Sequence, residues 1–135
     1  MNTYTVTAFP LWTPTDLTVT QNELLSFAVS GGPWDFGNGP VGADGGSLPG
    51  WEWDEWIQNG NHGQLIGYVG VNPLSDRNQE GAGVTNPARF FVIGAAGGVL
   101  GMPADGKLWL GFNDDRQTDG TFDNSGTMDV TVTSH

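Results

Sequence analysis

The sequence predicts an all-β fold, a two-sheet antiparallel β-sandwich or jelly roll. Three observations carry the prediction. Short runs alternate apolar and polar residues with period two, the signature of strands with one face buried. Turn formers are dense, with 22 Gly and 8 Pro among 135 residues, and they cut the chain into short segments. No segment shows the 3.6-residue apolar period of a helix, and only 14% of residues are charged. The length suits one domain, residues 1–135, with its own core.

Taken in order, residues 3–8 place Tyr4, Val6 and Ala8 on one face and three Thr on the other. Pro10, Trp12 and Pro14 then interrupt regular structure, with Trp12 expected to cover one end of the core. Residues 16–20 resume the alternation with Leu17 and Val19 inward, and residues 24–30 follow with Leu25, Phe27 and Val29 aligned. The turn between them, Gln21-Asn22-Glu23, is too short for a parallel crossover, so the two are expected to pair as a hairpin. Residues 31–50 read as a long Gly- and Pro-rich loop that opens with Trp34-Asp35-Phe36-Gly37. Strands are expected at 64–71 (QLIGYVGV), 89–93 (RFFVI), 107–112 (KLWLGF) and 127–133 (TMDVTVT), with a polar loop over 72–87. That makes about seven or eight short strands without an internal repeat. The first and last are candidates to pair.

Composition excludes several function classes. Fifteen acids against four bases give a net charge of −11, which argues against nucleic acid and anionic membrane surfaces, since both need Lys and Arg. No run approaches the ~20 apolar residues of a membrane span. The absence of Cys removes thiolate chemistry and Cys-rich zinc. Residues 94–101 are glycine-rich but lack the Lys-Ser/Thr of a phosphate cradle. The start, MNTYTVTAF, lacks the basic beginning and apolar centre of a signal peptide. It is therefore compatible with a cytoplasmic protein, export by another route, or a module of a larger secreted chain.

Two stretches carry chemistry. Residues 111–126 (GFNDDRQTDGTFDNSG) gather Asp114, Asp115, Asp119 and Asp123 with Asn113 and Asn124 between two strands. Clustered carboxylates repel unless neutralised, and a hard divalent cation with oxygen ligands, Ca²⁺, is the natural neutraliser. A solvated acidic turn is the plain alternative. Residues 51–56 (WEWDEW) offer aromatic faces, with Trp51 and Trp53 on one side if extended, beside Glu52, Asp54 and Glu55. They suit either stacking on a pyranose, with Trp34 a further candidate for that role, or capping the core or a subunit contact. His62, at the start of a strand, reads as a loop hydrogen-bonder or a ligand contact. No nucleophile elbow or catalytic triad is visible, so the protein is expected not to be an enzyme.

With these segments placed, LWTPTDLTVTQNELLSFAVSG, NHGQLIGYVG, RFFVIG and above all KLWLGFNDD followed by DNSGTMDVTV resemble the PA-IL-type calcium-dependent galactose-binding bacterial lectins. The resemblance covers most of the chain in order. It implies a galactose-binding-like sandwich and a Ca²⁺ held by the side chains of Asp114, Asp123 and Asn124 and by the carbonyls of Thr121 and Phe36, with sugar hydroxyls completing the coordination. Candidate sugar contacts are Phe36, Asp114, Asp115 and Asp123 around the metal and, from the Trp-rich run and the strand start, Trp53, Asp54 and His62; galactose-type glycans are the implied partner, and a homo-oligomer is a compatible assembly. The acidic loop is about two residues longer than the family's. The family's His-Pro-x-Gln contact to the galactose 6-hydroxyl is missing, its place taken by the Trp-rich run.

Overall fold

The computed structural model describes residues 2–35, 39–46, 56–57, 61–76, 84, 86–95, 97–114 and 124–135. Among the described residues ten strands run in chain order: β1 (Asn2–Thr7), β2 (Trp12–Val19), β3 (Leu24–Gly31), β4 (Trp34–Asp35), β5 (Pro40–Val41), β6 (Leu65–Gly70), β7 (Phe90–Val92), β8 (Val99–Gly101), β9 (Gly106–Phe112) and β10 (Thr127–Ser134). They form two four-stranded antiparallel sheets, β1-β10-β3-β8 and β2-β9-β6-β7, with β4 and β5 as a separate short ribbon. The expected all-β sandwich is the observed architecture. No α-helix occurs among the described residues, and no helix there is long and apolar enough to cross a membrane.

The core lies between the sheets. Val6, Leu25, Phe27, Met128, Val130 and Val132 face it from one side, and Leu65, Val69, Leu108, Leu110 and Phe112 from the other, each at most 3% exposed. Strand alternation puts these residues on one face. Phe27 meets Phe91 across the gap at a ring separation of 6.1 Å. The first and last strands do pair, Asn2 opposite Val132 and Thr7 opposite Thr127.

Two expectations about strand β2 and its neighbours are corrected first. β2 and β3 are not a hairpin: β2 lies beside β9 and β3 beside β10 and β8, so the turn at 20–23 carries the chain from one sheet to the other. A short turn excludes a parallel crossover but serves a hairpin and an inter-sheet arch alike. Nor does Pro14 end regular structure. β2 is an edge strand, where a missing N–H breaks no essential ladder bond. The register slips between Pro14 and Thr18, and the buried Thr15 hydroxyl fills the gap, donating to Leu108 O at 2.7 Å and accepting from Leu17 N–H at 3.2 Å.

The outer face of the second sheet carries a further aromatic layer. Trp12 stands opposite Gly111, and Tyr68 opposite both Trp109 and Phe90. Trp12 lies 5.4 to 6.1 Å from Trp56, Tyr68 and Phe90, ring to ring, and Phe90 lies 4.7 Å from Tyr68 and 5.8 Å from Trp56. A Cβ on Gly111 would approach Trp12 to 2.5 Å, so glycine there makes room for the indole. Trp12 thus covers an outer face, not an end of the core. The indole N–H groups of Trp12, Trp34, Trp56 and Trp109 are buried without an acceptor among the described residues. Burying a ring of ~200 Å² contributes roughly 5 kcal/mol, which exceeds the roughly 1–3 kcal/mol cost of one unmet donor.

Candidate functional site

β9 ends at Phe112, and the next two residues, Asn113 and Asp114, turn inward at the mouth of the acidic loop, 0% and 3% exposed. Asn113 is a clamp. Its Oδ1 accepts from Ile57 N–H at 3.0 Å, and its Nδ2 donates to Ile57 O at 3.1 Å and Asn61 O at 3.2 Å. Its main chain bonds Gln64 O and Gly63 N–H. One buried amide therefore holds both ends of the segment between Ile57 and Asn61.

Asp114 is the hub. Its Oδ1 lies 3.0 Å from Nε2 of His62, and its Oδ2 accepts from Asn124 Nδ2 at 2.6 Å. Its carbonyl accepts from Trp56 N–H at 3.3 Å. A carboxylate this buried is tolerated only when its oxygens are hydrogen-bonded, and the two side chains supply that. His62 is itself 6% exposed and fixed by a bridge to Gly46, N–H to carbonyl in both directions at 2.8 and 2.9 Å. Asn124 is 7% exposed, and its Nδ2 also donates to Ala8 O at 3.2 Å. Two acceptors on one side of the amide fix its orientation, with the nitrogen toward Asp114.

The far end of the loop is tied to a different part of the chain. Ser125 and Asp35 exchange N–H···O bonds at 2.9 Å in each direction, and Gly126 O accepts from Ala8 N–H at 3.1 Å. Gly126 has φ +95°, and a Cβ there would lie 2.8 Å from Trp34 Cα. Glycine is needed both for the backbone turn and for the close approach of β4. Trp34, completely buried, packs edge-on to Phe112 at 4.6 Å.

Of the residues singled out from sequence, the structure brings Asp114, Asn124 and His62 into direct contact. Phe36, Trp53, Asp54, Asp115, Thr121 and Asp123 lie outside the described residues, as do Trp51 and Asp119. Trp34, a candidate with Trp51 and Trp53 for stacking on a sugar, is instead core: it is completely buried and presents no face to a ligand. Trp56, 1% exposed, stacks on Phe90 at 5.8 Å, so the core-capping alternative holds for that ring. Sequence reasoning placed Asn113 in the acidic stretch without giving it a role, and gave none to Asp35. An Asn directly after an alternating strand was the available signal for the first, and Asp35 had none beyond its place beside Phe36.

The donors suit a hard cation in kind. Asp114 offers carboxylate oxygens and Asn124 an amide oxygen, from opposite ends of a loop that carries three further Asp in sequence. Such oxygen ligands match Ca²⁺. Among the described residues no three His, Cys, Asp or Glu side chains cluster, so any such ligand set draws on the loop itself. No protein-family model matches the chain, and no curated protein matches it in sequence.

Proposed function

We propose that this protein is a non-enzymatic, Ca²⁺-dependent carbohydrate-binding protein of the lectin type, directed to galactose-type glycans. The observation that carries the reading is the contact between Asp114 and Asn124 at 2.6 Å, which closes the two ends of the acidic loop on each other with β4 alongside. Asp114 and Asn124 would hold the cation, together with Asp123 and the carbonyls of Thr121 and Phe36. When bound, the cation supplies coordination positions for a vicinal diol. His62 orients the Asp114 carboxylate through its Nε2 contact, and Asn113 holds the neighbouring segment in place. Trp53 and Asp54, a few residues before the point where Trp56 is tied to Asp114, are the proposed sugar contacts on that side.

The burial of Trp56 favours a second reading, a Ca²⁺-stabilised structural or assembly module in which the Trp run packs instead of stacking on sugar. Calorimetric titration separates the two. After chelation the protein is expected to bind Ca²⁺, and then to bind methyl galactoside only with Ca²⁺ present. Absence of Ca²⁺ binding defeats both readings, whereas Ca²⁺ binding without any signal on a glycan array leaves the structural module.

A further inference from the structure

The chain has four bases, Arg77, Arg89, Lys107 and Arg116, and the two within the described residues stand on one cleft. The cleft has a volume of about 540 Å³, and its lining includes Tyr68, Ser75 and Asn86, the acids Asp76 and Asp105, and the bases Arg89 and Lys107. It lies at the far end of the second sheet from Asp114. β6 and β9 meet there as Gly70 opposite Lys107, whereas Asp114 follows the end where Leu65 opposes Phe112.

The floor is built and rigid. Asp76, 7% exposed, accepts from the Tyr68 hydroxyl at 2.5 Å and from Asn86 Nδ2. Arg89 forms a wall. Its Nη1 donates to Val69 O at 2.9 Å and Asp105 O at 3.4 Å, which pins one arm of the guanidinium. Among the described residues nothing accepts from its Nη2 or Nε, and neither Arg89 nor Lys107 forms an ion pair. Lys107 instead lies over the Trp109 ring, its Nζ 5.1 Å from the centroid. With fifteen acids to four bases, surface cations have an abundance of potential partners. Two that have none among the described residues, on the same cleft, are available to an outside anion.

The guanidinium edge left over is the one a carboxylate reads side-on, with two parallel N–H···O bonds. A phosphate dianion would bring nearly twice the charge beside Asp76 and into the field of a strongly acidic protein, which disfavours it against a monoanion. The hydroxyl and amide groups of Ser75 and Asn86 suit a polyol, and the volume falls within the roughly 300–1,000 Å³ of small-molecule sites. We propose that this cleft is a second binding site, for a hexuronate, with Arg89 holding the sugar carboxylate side-on and Lys107 adding a charge at the rim.

The test is a titration of ¹⁵N-labelled protein followed by amide chemical shifts, run in excess chelator so that it is independent of the Ca²⁺ reading. Glucuronate is expected to move the amides around Gly70, Asn86 and Lys107 saturably, while glucose at equal concentration leaves them in place. Arg89→Lys keeps the charge but loses the fork, and is expected to weaken binding by about tenfold. Lys107→Gln, at an exposed position, is expected to weaken it by a smaller factor and to flatten its salt dependence. The proposal is overturned if glucose and glucuronate act alike, if Arg89→Lys binds as the parent does, or if no uronate binds. Tighter binding of glucose 6-phosphate than of glucuronate likewise overturns the assignment to a carboxylate.

Discussion

Asn113 and Asp114 show how much two adjacent polar residues can organise when buried. Asn113→Ala would leave Ile57 N–H and two carbonyls without their partner. At roughly 1–3 kcal/mol for an unmet buried group, the expected loss is about 3 kcal/mol, read from urea unfolding. Asp114→Asn is nearly the same shape, and on the proposed reading it abolishes the calorimetric Ca²⁺ signal while the protein remains folded by circular dichroism. Tyr68 gives a pH prediction. Burial first, and then its bond to Asp76, push its hydroxyl up to about 12 from an ordinary value near 10. The fold therefore favours the protonated form. That stability is complete below the unfolded value near 10 and is lost as pH rises towards 12. Tyr4, raised by burial and then by Asp16, adds to the same window. Thermal melts between those pH values should steepen downward, and Tyr68→Phe should flatten the slope. Asp114 and Asn124 stood out in the sequence as the two ends of an acidic run between strands, named as a pair by the resemblance, and the structure shows that they touch. The role of Asn113 was not legible there, because an Asn after a strand looks like an ordinary turn former until its burial is known.

The strands that alternate most cleanly were the most legible elements. Leu108, Leu110 and Phe112 on β9, and Met128, Val130 and Val132 on β10, all face the core as their spacing requires. β4, β5 and β8 are two or three residues long and have too few positions to show a period. The partner of β2 was hidden for another reason, since local spacing specifies a strand's faces but not which sheet it joins. The outer aromatic layer supplies a test of that placement. Gly111→Ala forces a methyl group into the Trp12 ring, and overpacking of this kind costs about 1–3 kcal/mol. Trp12→Phe in the same chain relieves the clash, so the double variant is expected to recover part of the loss in a double-mutant cycle.

For the whole molecule, the net charge of −11 sets a self-repulsion that salt and cations relieve. Raising ionic strength to ~0.15 M, where the screening length is about 8 Å, is expected to raise Tm. On the proposed function, saturating Ca²⁺ adds more: at about 100 times its dissociation constant the gain is ~2.7 kcal/mol, or roughly 10 °C, and scanning calorimetry should show it vanish in chelator. The position of β10 has a consequence of another kind. It lies between β1 and β3, yet it is the last of the ten strands to be synthesised. β1 and β3 have no ladder between them until β10 arrives, so one half of the sandwich stays open while the other can already close. A nascent chain emerging from the ribosome is expected to expose Val6 and Phe27 until residues 127–134 are free of the tunnel, so that protease protection of stalled chains should reach the second sheet before the first.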